Sequence, residues 1–216
     1  MTERGMIFNA EMVRAILDGR KTQTRRIMTV QPESSEFGLR YIAESSLAKE
    51  VGMYFWSQSD ACGMKARSKP FACPYGKPGD RIWVRETWNK YGGLLTYRAD
   101  HDWINDMRKE TVCTAKWVPS IHMPRWASRI MLEITDVRVE RLQNISDEDV
   151  DSEGFAGDYP TSALPALFPG EPSDWSHLSM RDCYGALWKS IYGAENWQAN
   201  PWVWVIEFKR VEGGAA

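Results

Sequence analysis

The residues best suited to chemistry lie in one stretch, Gly19-Arg20-Lys21-Thr22-Gln23-Thr24-Arg25-Arg26, which packs four cations and two hydroxyls into seven residues. Four positive charges this close repel one another and are costly to bury. They are therefore expected to line a surface, where an anionic partner would relieve the repulsion. A threonine hydroxyl is a weak nucleophile until a neighbour takes its proton. A lysine crowded by arginines gives up its own proton more readily, because nearby cations disfavour its charged form. Lys21 and Thr24 are thus a base and a hydroxyl that a site could couple. Arg25, or backbone amides near Gly19, would be available to a developing oxyanion. The same residues also read as a solvated helix exit whose cations offset the helix dipole. An ideal strand would place Thr22 and Thr24 on one face and Lys21, Gln23 and Arg25 on the other, so a shared site requires the chain to turn between Lys21 and Thr24.

Several elements must position these groups. Asn9 to Asp18 reads as a helix, with Asn9 as N-cap, Met12, Ile16 and Leu17 at helical spacing, and Gly19 just past the end. Pro74-Tyr75-Gly76-Lys77-Pro78-Gly79-Asp80 is a dense turn signal feeding a strand, Arg81 to Trp88. There Ile82, Val84 and Glu86 share one face, and Arg81, Trp83, Arg85 and Thr87 the other. A carboxylate on an aliphatic face needs a cation or the rim of a pocket. Between Lys116 and Arg129, Pro119 and Pro124 exclude a continuous helix or central strand. Trp117, Arg125, Trp126 and Arg129 in that loop suit base stacking or the cover of a barrel end, whereas His122 reads as structural. Ser128 to Glu140 is a strand with a bend near Asp136. Ser146 then opens a short helix with acids in its first turn. That helix ends at Glu153-Gly154, where the helix dipole disfavours an anion, so Glu153 calls for a local cation. Ser179 to Tyr192 is a second helix, with Met180, Tyr184, Leu187, Trp188 and Ile191 as its apolar stripe. Trp202 to Phe208 is the closing strand.

The chain has 216 residues, 43% hydrophobic and 26% charged, which suits one large domain with a real core. With a net charge of −2, nucleic-acid binding would have to come from a local patch. Eleven tryptophans are hard to hide with every indole N–H satisfied, so a few are expected to line a groove. Cys62, Cys73, Cys113 and Cys183 show no paired spacing, and zinc ligation by Cys62, Cys73 and histidines is disfavoured. The polar start and the lack of any long apolar run predict a cytosolic, non-membrane protein with reduced thiols. Residues 31–70 are poor in apolar side chains and read as an insertion. Residues 155–178 form a long proline-bearing loop. Many short strands and few helices predict an α+β fold built on a small, partly open β-barrel with helices at its ends.

Four of these places together resemble the ASCH domain family, relatives of the PUA-like β-barrels. They are Ile16 to Arg25, similar to a helix followed by G-x-K-T-x-T-x-R; Lys77-Pro78-Gly79-Asp80 with the strand to Glu86; Ile130 to Val139 running into the helix that ends at Glu153-Gly154; and Val203 to Phe208. The longer layout, with Cys73-Pro74-Tyr75-Gly76 and Trp83 to Trp88, resembles large ASCH-like proteins of bacteriophages and prophages, which implies the cytoplasm of a bacterial host. The resemblance implies a single small PUA-like β-barrel flanked by short helices, with insertions at about 31–70 and 155–178. It implies a nucleoside or RNA partner and no cofactor. One branch of the family, the bacterial N4-acetylcytidine amidohydrolases, removes an acetyl group without metal, and its catalytic Lys, Thr and Glu match Lys21, Thr24 and Glu153. Arg20, Arg25, Arg26, Arg85, Glu86 and Trp126 would then contact substrate. Three readings stay open: an amidohydrolase, a non-catalytic RNA- or nucleotide-binding module, and a ribonuclease of the same fold. Fold alone does not decide among them.

Overall fold

The computed structural model describes residues 1–59, 65–91, 93–101, 116–155 and 178–211. In chain order the elements are β1 (Glu3–Ile7), α1 (Ala10–Leu17), β2 (Gln23–Ile27), β3 (Gly38–Tyr41), β4 (Tyr54–Ser59), β5 (Lys65–Arg67), β6 (Arg81–Arg85), β7 (Trp88–Tyr91), β8 (Leu94–Tyr97), β9 (Met131–Arg141), α2 (Asp147–Ser152), α3 (Met180–Tyr192), α4 (Ala194–Gln198) and β10 (Trp202–Val211). The fold is α+β. Its main sheet has five strands in the order β1-β6-β9-β10-β2. β1 runs parallel to β6, and the other neighbours are antiparallel.

The two long strands carry the architecture. In β10, Trp204, Ile206 and Phe208 pack into one core with Ile82, Leu132 and Ile134. Val203 and Val205 point the other way, into a second core with Leu142, Val150, Tyr184 and Trp188. The expected apolar face of this strand is present, and its opposite face is buried as well. A strand buried on both sides reads as a continuous apolar run, as Trp202 to Ile206 does. The register shifts between Glu207 and Phe208 of β10, with β9 skipping from Asp136 to Ile134, so the expected bend is a bulge at Thr135.

Among the described residues no strand pairing closes the sheet into a barrel. Its edges, β1 and β2, are tied by a side chain instead: Arg26 Nη2 donates to Ile7 O at 2.9 Å. α1 sits beside this gap. The Asn9 side chain accepts from Met12 N, and Gly19 leaves the helix at φ +77. The apolar-poor segment 31–70 holds the three-stranded sheet β3-β4-β5. It has no core of its own, because Trp56 and Tyr54 pack on Trp202 and Trp204. Of the loop 155–178, residues 156–177 lie outside the described residues, as do Cys62 and Cys113. No helix among the described residues is long and apolar enough to cross a membrane.

Tryptophan is mostly used for packing. Trp56, Trp88, Trp188 and Trp204 are buried, and among the described tryptophans only Trp126 is exposed. Of the few tryptophans expected to line a groove, Trp188 lines a recess, and the wider groove beside it has no indole among its described lining residues.

Candidate active site

The site forms where the exit of α1 meets the end of α2. Ser146 caps α2 by accepting from Asp149 N. The helix closes on Glu153, and Gly154 follows at φ +105. The chain leaving α1 is stitched to that end through its backbone. Lys21 N donates to Ala15 O at 2.9 Å, and Thr22 N donates to Ser152 O at 2.8 Å. Lys21 and Glu153 face each other as an isolated antiparallel bridge.

The side chains complete the junction. Lys21 Nζ donates to Glu153 Oε2 at 2.5 Å and to Glu153 O at 2.9 Å. Glu153 Oε1 accepts from Arg25 N at 2.6 Å and from the Tyr184 hydroxyl at 3.4 Å. The cation that the helix-end carboxylate called for is therefore Lys21. Burial pulls the Lys21 pKa below its ordinary value; the Glu153 charge and hydrogen bond oppose this, while Arg26 and Arg25 push the same way as burial. Burial also raises the Tyr184 hydroxyl well above its ordinary value, reinforced by Glu153.

The expectation that the cationic stretch lines a surface is overturned for Lys21 and Arg25, each only 2% exposed. Carboxylates make their burial tolerable. Arg25 Nη2 donates to Asp149 Oδ2 at 2.7 Å and to Glu140 Oε2 at 3.1 Å, and its Nη1 donates to Gln23 Oε1. Gln23 Nε2 in turn donates to Asp149 Oδ1 at 2.8 Å. Arg138 bonds Glu140, Asp149 and Glu207, joining one network across β2, β9, β10 and α2. Burial raises the Asp149 carboxyl, but hydrogen bonds from Gln23 and Arg25 and the charges of Arg25 and Arg138 outweigh it and hold it below its ordinary value.

The Arg25 guanidinium gives both terminal nitrogens to the network and so positions it, while its buried Nε has no partner among the described residues and the residue lines a recess with Lys21 and Thr24. One expected role is corrected: the Gly19 amide donates to Ile16 O at 3.1 Å inside the helix exit, so it is unavailable to an oxyanion. The strand geometry is resolved differently from the ideal. β2 begins only at Gln23, so Lys21 precedes the strand and its side chain is free of strand alternation.

Lys21, Thr24 and Glu153 line one narrow recess, walled by Phe155, Tyr184 and Trp188. Its free space is about 40 Å³. At roughly 10–15 Å³ per water, that is room for about three water-sized atoms. Among the described residues, the Thr24 hydroxyl makes no hydrogen bond, and the buried Trp188 Nε1 has no partner. The recess opens beside a wider groove, with Met12, Arg26, Ile191 and Tyr192 lining both.

The remaining expected contacts are dispersed. Arg26 flanks the recess, donating to the Tyr192 hydroxyl at 3.0 Å and lying 5.3 Å over the Phe8 ring. Arg20 donates to Gly154 O at 2.8 Å and pairs with Asp18, outside the recess lining. Arg85 lies over Trp83 and lines the wider groove. Glu86 is buried and bonded to Arg129 at 2.9 and 3.1 Å, the cation its aliphatic face required. Burial raises its carboxyl, against the hydrogen bonds and charge of Arg129. Trp126 packs edge-on against Trp88, with Lys90 over its ring. Neither Glu86 nor Trp126 lines the recess.

Sequence reasoning did not single out Tyr184, Trp188 or Asp149 for this site. Tyr184 and Trp188 stood in the helical stripe of α3, where periodicity marks a buried face but not a buried pocket wall. Asp149 stood among the first-turn acids of α2, and only its contact with Gln23 and Arg25 sets it apart.

Gly154 is a structural lever on the site. A Cβ there would meet Ala15 Cβ at 3.0 Å and Lys21 Cβ at 3.2 Å, at a φ that disfavours side chains. Gly154→Ala is expected to lose about 1–3 kcal/mol in urea unfolding and to weaken the Lys21–Glu153 pair.

Comparison with family models, curated proteins and solved structures finds no match to this chain.

Proposed function

We propose that the protein is an ASCH-type, nucleoside- or RNA-binding protein whose five-stranded sheet is a variant of the PUA-like barrel, and that it hydrolyses the amide of an acylated cytidine without metal. The observation that carries this reading is the shared lining of one recess by Lys21, Thr24 and Glu153, with the lysine held by the carboxylate and the threonine hydroxyl without a hydrogen bond among the described residues. The free space suits a small acyl group such as acetyl, leaving the base in the wider groove.

In this mechanism neutral Lys21 takes the proton from Thr24 as Oγ1 adds to the acyl carbonyl. The C–N bond then breaks, and the proton passes to the leaving exocyclic nitrogen. Water hydrolyses the Thr24 ester, releasing the carboxylic acid and restoring the hydroxyl. Glu153 holds Lys21 in place. Trp188 Nε1, which has no partner among the described residues, is the donor at the recess wall that a carbonyl oxygen would meet.

The test is release of acetate from N4-acetylcytidine by the purified protein. Turnover is expected in the wild type, with a loss of about 100-fold or more in Thr24→Ala. Because burial lowers the Lys21 pKa, the rate should rise with pH through one deprotonation centred below a free lysine's value. Absence of turnover, with cytidine still bound, would leave the binding-module reading. One feature favours that second reading: Lys21 Nζ already donates to both a carboxylate and a carbonyl, a satisfied arrangement that also serves a purely structural role. Among the described residues no histidine lines the recess, so a ribonuclease reading would have to use Glu153 for its acid–base step.

A further inference from the structure

The wider groove beside the recess is lined by Gly5, Ile7, Tyr75, Arg26, Arg85 and Tyr192, among others, and holds about 480 Å³. Two of its lining residues are arginines and none is a carboxylate. Both guanidiniums bond only neutral oxygens. Arg26 donates to the Tyr192 hydroxyl and Ile7 O, and Arg85 donates to Ser120 O at 3.2 Å and to Ile121 O. Arg4, Arg20, Arg25, Arg125, Arg129 and Arg138 each pair with a carboxylate, whereas Arg141 and Arg210, like the two groove arginines, bond carbonyl oxygens. Among the described residues the two groove arginines are thus half-buried cations with no paired carboxylate. Arg26 is on the edge strand β2 and Arg85 on β6, and the two are linked across the open side of the sheet through β1, where Ile7, whose carbonyl accepts from Arg26, is in register with Arg85. Gly5 leaves room for the Arg85 side chain on the groove: a Cβ there would meet Trp83 Cζ2 at 2.6 Å and Arg85 Cδ at 2.8 Å.

Uncompensated, partly desolvated cations attract an anion, and each guanidinium keeps N–H donors beyond those in use. We infer that the groove seats a phosphate between Arg26 and Arg85, so that the ligand is a phosphorylated nucleoside or an RNA phosphodiester, and not a free nucleoside. The placement of the base and acyl group rests on the function proposed above; the phosphate contact rests on the groove alone. Tyr75 and Tyr192 in the same lining offer aromatic surface to the sugar and base.

The test is binding, measured calorimetrically with the full chain, of cytidine, cytidine 5′-monophosphate and a cytidine trinucleotide lacking terminal phosphates. A charge-assisted contact is expected to make a phosphorylated ligand bind about tenfold or more tightly than cytidine. The preference should shrink as salt rises and should be lost in Arg85→Gln. Arg85→Lys, which keeps a charge, should retain part of it. Arg26→Gln provides a second variant, with circular dichroism confirming its fold. Preference for the monophosphate alone assigns a nucleotide ligand, and preference shared by the trinucleotide assigns RNA. Equal affinity for all three ligands, or a preference untouched by both glutamine variants, overturns the inference. Because binding is read without turnover, failure of the amidohydrolase reading leaves this result independent.

Discussion

Glu153→Ala is expected to cost about 3–5 kcal/mol of folding stability, because it leaves the Lys21 ammonium buried without its counter-charge. The lysine cannot relax into solvent. Its backbone is pinned by bonds to Ala15 and from Thr22 to Ser152, and its side chain is enclosed. It would answer by losing its proton, and stability would then rise as pH climbs from neutral toward the unfolded lysine's value. The sign follows from the direction of the shift: a lysine whose folded pKa is lowered penalises the fold while protons are available, and the penalty fades as the unfolded chain also deprotonates. The companion variant separates structure from chemistry. Lys21→Met with Glu153→Leu removes both charges and should recover most of the lost stability, since a buried pair is often replaced by apolar residues at little cost. Under the proposed mechanism the double variant is stable and inactive. Urea unfolding of the two variants, run beside the acetylcytidine assay, reads both outcomes. Retained turnover in the double variant would remove Lys21 and Glu153 from the chemistry.

Arg25→Met carries an effect of similar size, about 3–5 kcal/mol, by leaving Asp149 and Glu140 with a single remaining cation, Arg138, and Asp149 with the neutral Gln23 amide besides. It also has a pH signature. The Asp149 carboxyl is held below its ordinary value in the folded protein, so its contribution is present above the unfolded carboxylate pKa. That contribution disappears as pH falls through the lowered folded value. Removing Arg25 lifts the folded pKa of Asp149, so acid unfolding should begin at higher pH than in the wild type. Acid titrations followed by circular dichroism would show the midpoint move upward; an unchanged midpoint would mean that Gln23 and Arg138 suffice to hold the carboxylate. Because Gln23 and Arg25 also position the start of β2 beneath Thr24, the variant is expected to lower turnover through geometry, and partial recovery in Arg25→Lys would mark that role.

The local elements of this protein were legible in its sequence because their signals are short-range. Asn9 and Gly19 bracket α1, Ser146 opens α2, and Ser179 caps α3 with Asp182, each through bonds between residues three or four positions apart. The demand of Glu153 for a cation and of Glu86 for a partner were legible too, since a carboxylate at a helix C-terminus or on an aliphatic strand face is unstable alone. Which cations would answer was not. Lys21 and Glu153 are separated by 132 positions, and Glu86 and Arg129 by 43. Only the tertiary structure decided that the cationic stretch turns inward, because the carboxylates of Glu140, Asp149 and Glu153 come from two other elements and a lone sequence window shows only the repulsion. The same holds for the recess. Periodicity showed that Tyr184 and Trp188 face the interior, but whether an interior face is filled or leaves a recess depends on what packs opposite, which is a property of the assembled chain.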